Sequence, residues 1–321
     1  MCIGGIKLSV LTEILVKVLP IILTIVLGMV LWRFRFFREG TVDDLKKIVV
    51  NISLPTLLFT AFAETKFETR YLLIIGIVFL LCVLMLLLGF AAKKALGSTN
   101  KYLPALFSGF EAGMMGYAIF VAVFGAENMY KFAVIDLGQV LFVFFVLVTV
   151  LQRFNGVKAT AADTALSFIK TPVIIAIFAG IFFSITGLFR LASAYQVPMA
   201  LYETIKLLSS VNIPLICLII GYELKLDGKT LPRSVVIVLS RMLISLGLAA
   251  AVNHFVLVNL FHLDRGFQAA LFAMFILPSP FVIPVYMKYN EESEKQEVLN
   301  ILSVHIVLSL VAFIILVGIF K

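Results

Sequence analysis

Ile276–Pro284 reads ILPSPFVIP and Gly109–Tyr117 reads GFEAGMMGY, each inside a run otherwise apolar enough to be a membrane-spanning helix. Pro278, Pro280 and Pro284 remove three amide donors within seven residues. Each ring also obstructs the turn before it, so the helix is expected to unwind near Ser279. In the other stretch Gly109, Gly113 and Gly116 each weaken a helix by about 1 kcal/mol relative to alanine and permit the dihedrals an unwound segment needs. The same glycines, as Gly109-xxx-Gly113 and Ala112-xxx-Gly116, also suit close helix packing, and prolines alone can merely kink a helix. The matched position of the two stretches in the chain favours interruption. Unpaired backbone in hydrocarbon costs several kcal/mol per group unless it lines a wet cavity or finds a partner, which makes a ligand site the natural explanation.

The surrounding composition sets the solvent. Hydrophobic residues make up 62% of the 321 and charged residues 14%, with mean hydropathy +1.12. A soluble domain has roughly 45–50% apolar and about 25% charged residues, so a water-soluble fold is excluded and the lipid bilayer is the expected partner. Met1 to Glu13 lacks a short apolar core ending in a small-residue cleavage site, so the first apolar run is expected to remain as a span. Cys2, Cys82 and Cys217 are scattered and support neither a disulfide framework nor a metal site. The net charge of +8 is dispersed over short loops, which argues against nucleic acid as a partner.

Apolar runs punctuated by charge, Gly and Pro predict an all-α membrane protein of ten transmembrane helices. Helices 1 to 5 are expected over 14–32, 48–63, 72–91, 103–124 and 132–151, and helices 6 to 10 over 172–188, 201–222, 235–260, 267–286 and 298–320. Alternate loops hold sixteen of the Lys and Arg residues, among them Arg33, Arg35, Lys93, Lys94, Arg153, Lys225 and Lys288. Cytoplasmic loops concentrate such residues, so both termini are expected outside. The longest polar connection lies halfway along the chain. The expected organisation is a first five-helix repeat over 1–153, a cytoplasmic linker over 154–170 and a second five-helix repeat over 171–321.

Laying Pro55 on Pro214 sets NISLPTLLF (Asn51 to Phe59) against SVNIPLICL (Ser210 to Leu218). Laying Gly116 on Pro280 sets GYAIFVAVFGAE against the segment from Pro280 onward, with Asp136 meeting Asn300. Five helices per half makes such a repeat inverted, and the fourth helix of each half is the interrupted one. Inverted repeats whose discontinuous helices meet near the bilayer centre are the common build of secondary transporters. The second half of each broken helix presents bare amides and a partial positive charge of about half an electron, and two such ends meeting at midmembrane favour an anion.

Ionisable groups inside spans are functional candidates when they lie deep. Glu111 stands beside the break in helix 4, where desolvation favours the neutral acid and suits it to carry a proton or help bind a cation. Asp136 and Gln139 are one turn apart on helix 5 and share a face. Asp136 is either a coupling residue or a hydrated residue at the membrane boundary. Asn51 and Asn212 flank the matched prolines and either contact substrate or satisfy carbonyls those prolines release. Arg241 is expected to snorkel to the cytoplasmic interface or pair with Glu223 or Asp227. His254 and His305 lack metal-ligand spacing and read as packing or hydrogen-bonding residues, while Glu203 and Lys206 read as a helix-end pair.

Three stretches carry a family resemblance: DDLKKIVVNISLPTLLFTAF (Asp43 to Phe62), VNIPLICLIIGYEL (Val211 to Leu224) and ALFAMFILPSPFVIPVYMKYNEE (Ala270 to Glu292). The chain resembles, over nearly its whole length, the auxin efflux carrier family, related in fold to the bile acid:sodium symporters. The resemblance implies a crossover of helices 4 and 9 that binds substrate, a scaffold of helices 1, 2, 6 and 7, and a transport part of helices 3–5 and 8–10. It also implies outward export of small organic acids, often by homodimers. In helix 4 the family tends to read Asn-x-Gly-x-x-Gly-x-Pro, whereas this chain has Glu111, Gly113, Gly116 and Ala118 at those positions. An acid there repels a carboxylate unless protonated or paired, so substrate and coupling do not carry over from the family.

The reading is a secondary transporter that exports a small organic acid or anion, working by alternating access without a cofactor and with coupling to H⁺ or Na⁺. Its substrate site is expected to comprise Glu111, Ala112, Gly113, Met114, Gly116, Pro278, Ser279, Pro280, Phe281, Asn51 and Asn212, with coupling through Glu111, Asp136 and Gln139. The alternatives are a cation-coupled importer and a non-transporting receptor on the same scaffold. An intramembrane enzyme is not expected, because the sequence has no nucleophile–base set, paired aspartates or HExxH motif.

Overall fold

The structure, a computed structural model, describes residues 2–3, 6–38, 40–64, 68–156, 169–192, 194–224, 230–287 and 292–320. Apart from a two-residue pairing of Cys2–Ile3 with Ile6–Lys7, the regular structure of these residues is helical. Among them six helices are long and apolar enough to cross a membrane: Thr41–Ala63, Tyr71–Ala95, Ala126–Phe154, Gln196–Glu223, Leu231–Val258 and Ser293–Phe320. The 25 residues of Tyr71–Ala95 extend about 38 Å at 1.5 Å per residue, against a hydrocarbon thickness of about 30 Å. Leu72, Leu80 and Leu87 of that helix are exposed, so its outer face suits lipid rather than water. This is the build of an all-α membrane protein. The linker expected over 154–170 lies mostly outside the described residues, as do the loop cations Lys66, Lys158, Lys225, Lys229 and Lys288.

Prolines mark several helix starts. Pro104, Pro172 and Pro232 stand in first turns, where a missing N–H costs nothing, whereas Pro55 lies inside the Thr41–Ala63 helix. Upstream of Pro55 the chain widens into a π-helical turn, Val49–Ser53. Thr56 Oγ1 donates to Ile52 O at 3.0 Å, and Asn51 Nδ2 to Lys47 O at 2.9 Å. These side chains take carbonyls that a widened turn leaves less well paired.

Two compact units emerge. The first comprises 1–71, 113–133 and 167–224. Within it the Leu8–Arg33 and Asn212–Glu223 helices lie backbone to backbone through glycine: a Cβ on Gly221 would stand 1.9 Å from Ile25 O, and one on Gly28 2.2 Å from Leu218 O. The Leu54–Ala63 helix packs on Pro172–Thr186 and on Gln196–Ser210. Lys46 pairs with Glu223, and Tyr202 donates to Glu64, which also meets Lys206 at 3.6 Å.

The second unit comprises 72–112, 134–166 and 225–321. Its Leu231–Val252 and Glu292–Phe320 helices pack on each other, and Arg265–Phe275 packs on both. Gly138 lets the 129–142 helix approach Ile75, where an added Cβ would lie 2.3 Å from the carbonyl oxygen. The ranges expected for helices 4 and 9 are broken, and both breaks contribute residues to this unit.

Close approach through Gly221 gives a direct stability prediction. Gly221→Leu should cost at least the ~1–3 kcal/mol typical of overpacking and lower the thermal unfolding midpoint in detergent. Gly247→Ala, where an added Cβ meets nothing within 4 Å, should leave the midpoint unchanged or raised.

Candidate functional site

The first break runs over 107–111, between Leu103–Leu106 and the π-helical turn Ala112–Gly116, which continues as Tyr117–Phe124. The second runs over 276–281, between Arg265–Phe275 and Val282–Val285. The unwound segments are therefore shorter than the quoted stretches. Gly113 and Gly116 are already helical, and Pro284 sits in the first turn of the resumed helix, where it obstructs nothing.

Gly109 makes the meeting of the breaks sterically feasible. Its φ of +63° lies in the left-handed region, and a Cβ there would stand 2.8 Å from Cγ of Pro280. One residue on, Phe110 lays its ring 4.7 Å from that of Phe275. Glu111 then ties the breaks together twice: its N–H donates to Pro278 O at 2.8 Å, and its Oε2 accepts the Phe281 N–H at 2.6 Å. The side chain is 8% exposed. A carboxylate on a backbone amide is a charge-assisted bond, stronger than its neutral counterpart.

On the other side of the breaks the ends of Leu103–Leu106 and Arg265–Phe275 leave carbonyls without helical partners, and side chains cap them. Ser279 Oγ donates to Leu106 O, Ser245 Oγ to Phe275 O at 2.8 Å, and Ser309 Oγ to Ile276 O at 2.5 Å. Arg241 caps two at once, donating Nη2 to Gly109 O and Nη1 to Leu277 O at 2.9 Å. The guanidinium also lies 5.1 Å from the Phe110 ring centroid and 3.1 Å from Nε2 of His305. Guanidinium only donates, so that nitrogen of His305 presents its lone pair.

Arg241 is 1% exposed. The expectation that it snorkels or pairs with Glu223 or Asp227 is thereby corrected: carbonyls released by the two breaks hold the guanidinium inside, and Asp227 lies outside the described residues. Glu223 instead belongs to the first unit and pairs with Lys46. His305 is a hydrogen-bonding residue, as read from the sequence.

Gln139 reaches the first break, donating Nε2 to Phe110 O at 2.9 Å and to Asp136 Oδ1 at 3.1 Å, while its Oε1 has no hydrogen-bond partner. Asp136 is 3% exposed, which decides against the hydrated boundary position. Ala112 is buried beside the first break, and Ser279, Pro280 and Phe281 form part of the second. Gly113, Met114 and Gly116 belong to the first unit, and the side chain of Met114 lies outside the described residues.

Asn51 and Asn212 are also in the first unit. Asn51 is exposed and bonded to its own helix, whereas Asn212 is fully buried, accepts Ser53 Oγ at 3.0 Å, and leaves Nδ2 without a partner. That unit also holds an apolar groove of about 540 Å³ lined by Phe59, Phe183, Tyr195 and Tyr202. Its walls lack the convergent polar groups found at the breaks, so the candidate site is the meeting of the two interruptions.

Sequence reading missed Ser245 and Ser309 and misplaced Arg241. A signal was present: Arg241 with Ser245, and His305 with Ser309, are i,i+4 polar pairs on otherwise apolar helices, so each pair shares one face. No protein-family model matches the chain, and no curated protein matches it significantly.

Gly109→Ala should incur the ~1–2 kcal/mol cost of a left-handed non-glycine residue, and more from the contact with Pro280. Thermal unfolding should show the loss, while Gly76→Ala, with open space around its added Cβ, should not.

Proposed function

We infer that the chain is a secondary active carrier of a small organic anion, in which the two interrupted helices hold the substrate and Glu111 carries a proton. The observation that carries this reading is the Glu111 bridge, a buried acid of one helix break bonded twice to the other. Irregular backbone and buried acids are costly at membrane depth and recur where transporters bind their cargo. Under this reading Leu8–Arg33, Pro172–Thr186 and the two interrupted segments join the six long helices to make ten spans. The spans form two inverted repeats in a plasma or inner membrane, with both termini outside. The resemblance to auxin efflux carriers supports the same architecture and favours export.

The chemistry differs from a simple anion seat. Ionised Glu111 takes the Phe281 amide for itself and repels a second carboxylate. Uptake of one proton neutralises the acid and weakens its hold on the amide, so a substrate carboxylate can replace it. Proton and anion then cross together, outward where the anion's own gradient exceeds the opposing proton gradient, and loss of the proton on the far side restores the bond and expels the anion. Gln139 Oε1, an acceptor without a partner, is available to a hydroxyl or amide of the substrate.

Flux of a panel of small organic acids into proteoliposomes, under imposed proton or sodium gradients, tests this. One acid should follow the proton gradient, and Glu111→Gln should remove the pH dependence and reduce gradient-driven accumulation by roughly 5–150-fold, the usual size of coupling between sites. Unchanged rate and pH dependence in that variant would refute the proton role. Flux driven by sodium alone would favour the importer, and saturable binding without flux a receptor.

A further inference from the structure

We propose that Arg241 is a built-in monovalent cation of the two helix breaks, occupying the carbonyl-lined position that a coupling sodium ion would otherwise take. The inference deepens the carrier reading and rests on it in calling that ion a coupling ion and the carrier sodium-independent. Discontinuous helices offer two kinds of end: amide ends suit anions, and carbonyl ends suit cations such as Na⁺. Here Gly109 O and Leu277 O, one from each break, converge on a single guanidinium.

Among the described residues no carboxylate lies within ion-pair distance of that guanidinium. Its charge is met by carbonyl dipoles, the Phe110 ring and the His305 lone pair. A guanidinium is always protonated and is tethered to the 231–252 helix, so it can neither dissociate nor travel with a substrate. Arg241 is therefore a positioning residue that fixes the geometry of both breaks. It leaves the proton on Glu111 as the mobile charge, which assigns the carrier to the sodium-independent class.

Two readouts on purified protein in lipid nanodiscs test the assignment without any substrate. Wild-type protein should bind no ²²Na⁺ above a cold-sodium competition control, and its unfolding midpoint should not change when sodium replaces choline. Arg241→Ala should lower the midpoint by several degrees, with recovery on addition of millimolar guanidinium but not of urea, its neutral isostere. Arg241→Lys, whose single ammonium cannot span both carbonyls as a fork, should fall between wild type and Arg241→Ala. Saturable ²²Na⁺ binding to wild type, a wild-type midpoint in Arg241→Ala, or equal recovery with urea would each overturn the proposal. Should the alanine variant fail to fold, the wild-type sodium measurement and the lysine variant still decide it. None of these readouts needs flux, so their failure is distinct from failure of the carrier reading.

Discussion

A backbone broken inside an apolar region must find its hydrogen bonds within the protein, and the second unit is organised around that constraint. Each orphan group left in hydrocarbon would cost several kcal/mol. The carbonyls of Leu106, Gly109, Phe275, Ile276 and Leu277 are instead met by Ser279, Arg241, Ser245 and Ser309, and the amides of Glu111 and Phe281 by Pro278 O and the Glu111 carboxylate. Several caps come from helices distant in sequence, so the breaks cannot persist unless Leu231–Val252 and Glu292–Phe320 pack beside them. Packing and site are one arrangement.

That arrangement also explains two buried charges. Burial of an isolated arginine costs several kcal/mol, and removing its partners would leave it uncompensated. The same holds in reverse for the carbonyls, which without Arg241 would face one another unpaired. Glu111 stands in the complementary relation to the amide of Phe281. The opposite charges attach to opposite ends of the interrupted helices, as the helix dipole requires.

Much of this was legible in sequence. The prolines at 278 and 280 announce one break, because no rotamer choice restores a missing N–H, whereas Pro284 belongs to the helix that resumes. The glycines at 109, 113 and 116 announce the other less sharply, since they serve tight packing equally well. Only Gly109 proves to need its freedom, through positive φ and the contact with Pro280. Arg241 was misread because distance from a span's end says nothing about what waits inside, and the carbonyls that hold it exist only once both breaks form. The closeness of the Leu8–Arg33 and Asn212–Glu223 helices was likewise hidden, because a lone glycine on each helix carries no spacing motif.

The two breaks are joined to each other through Glu111. Hydrogen–deuterium exchange in lipid nanodiscs, comparing the parent with Glu111→Ala, reads this directly. Peptides covering 107–111 and 276–281 should exchange slowly in the parent. Both should speed up in the variant, because Phe281 loses its acceptor and, of the two Glu111 bonds between the breaks, only the backbone bond to Pro278 O remains, while Leu231–Val252 stays slow. A change confined to the mutated segment, with 276–281 as protected as before, would contradict it.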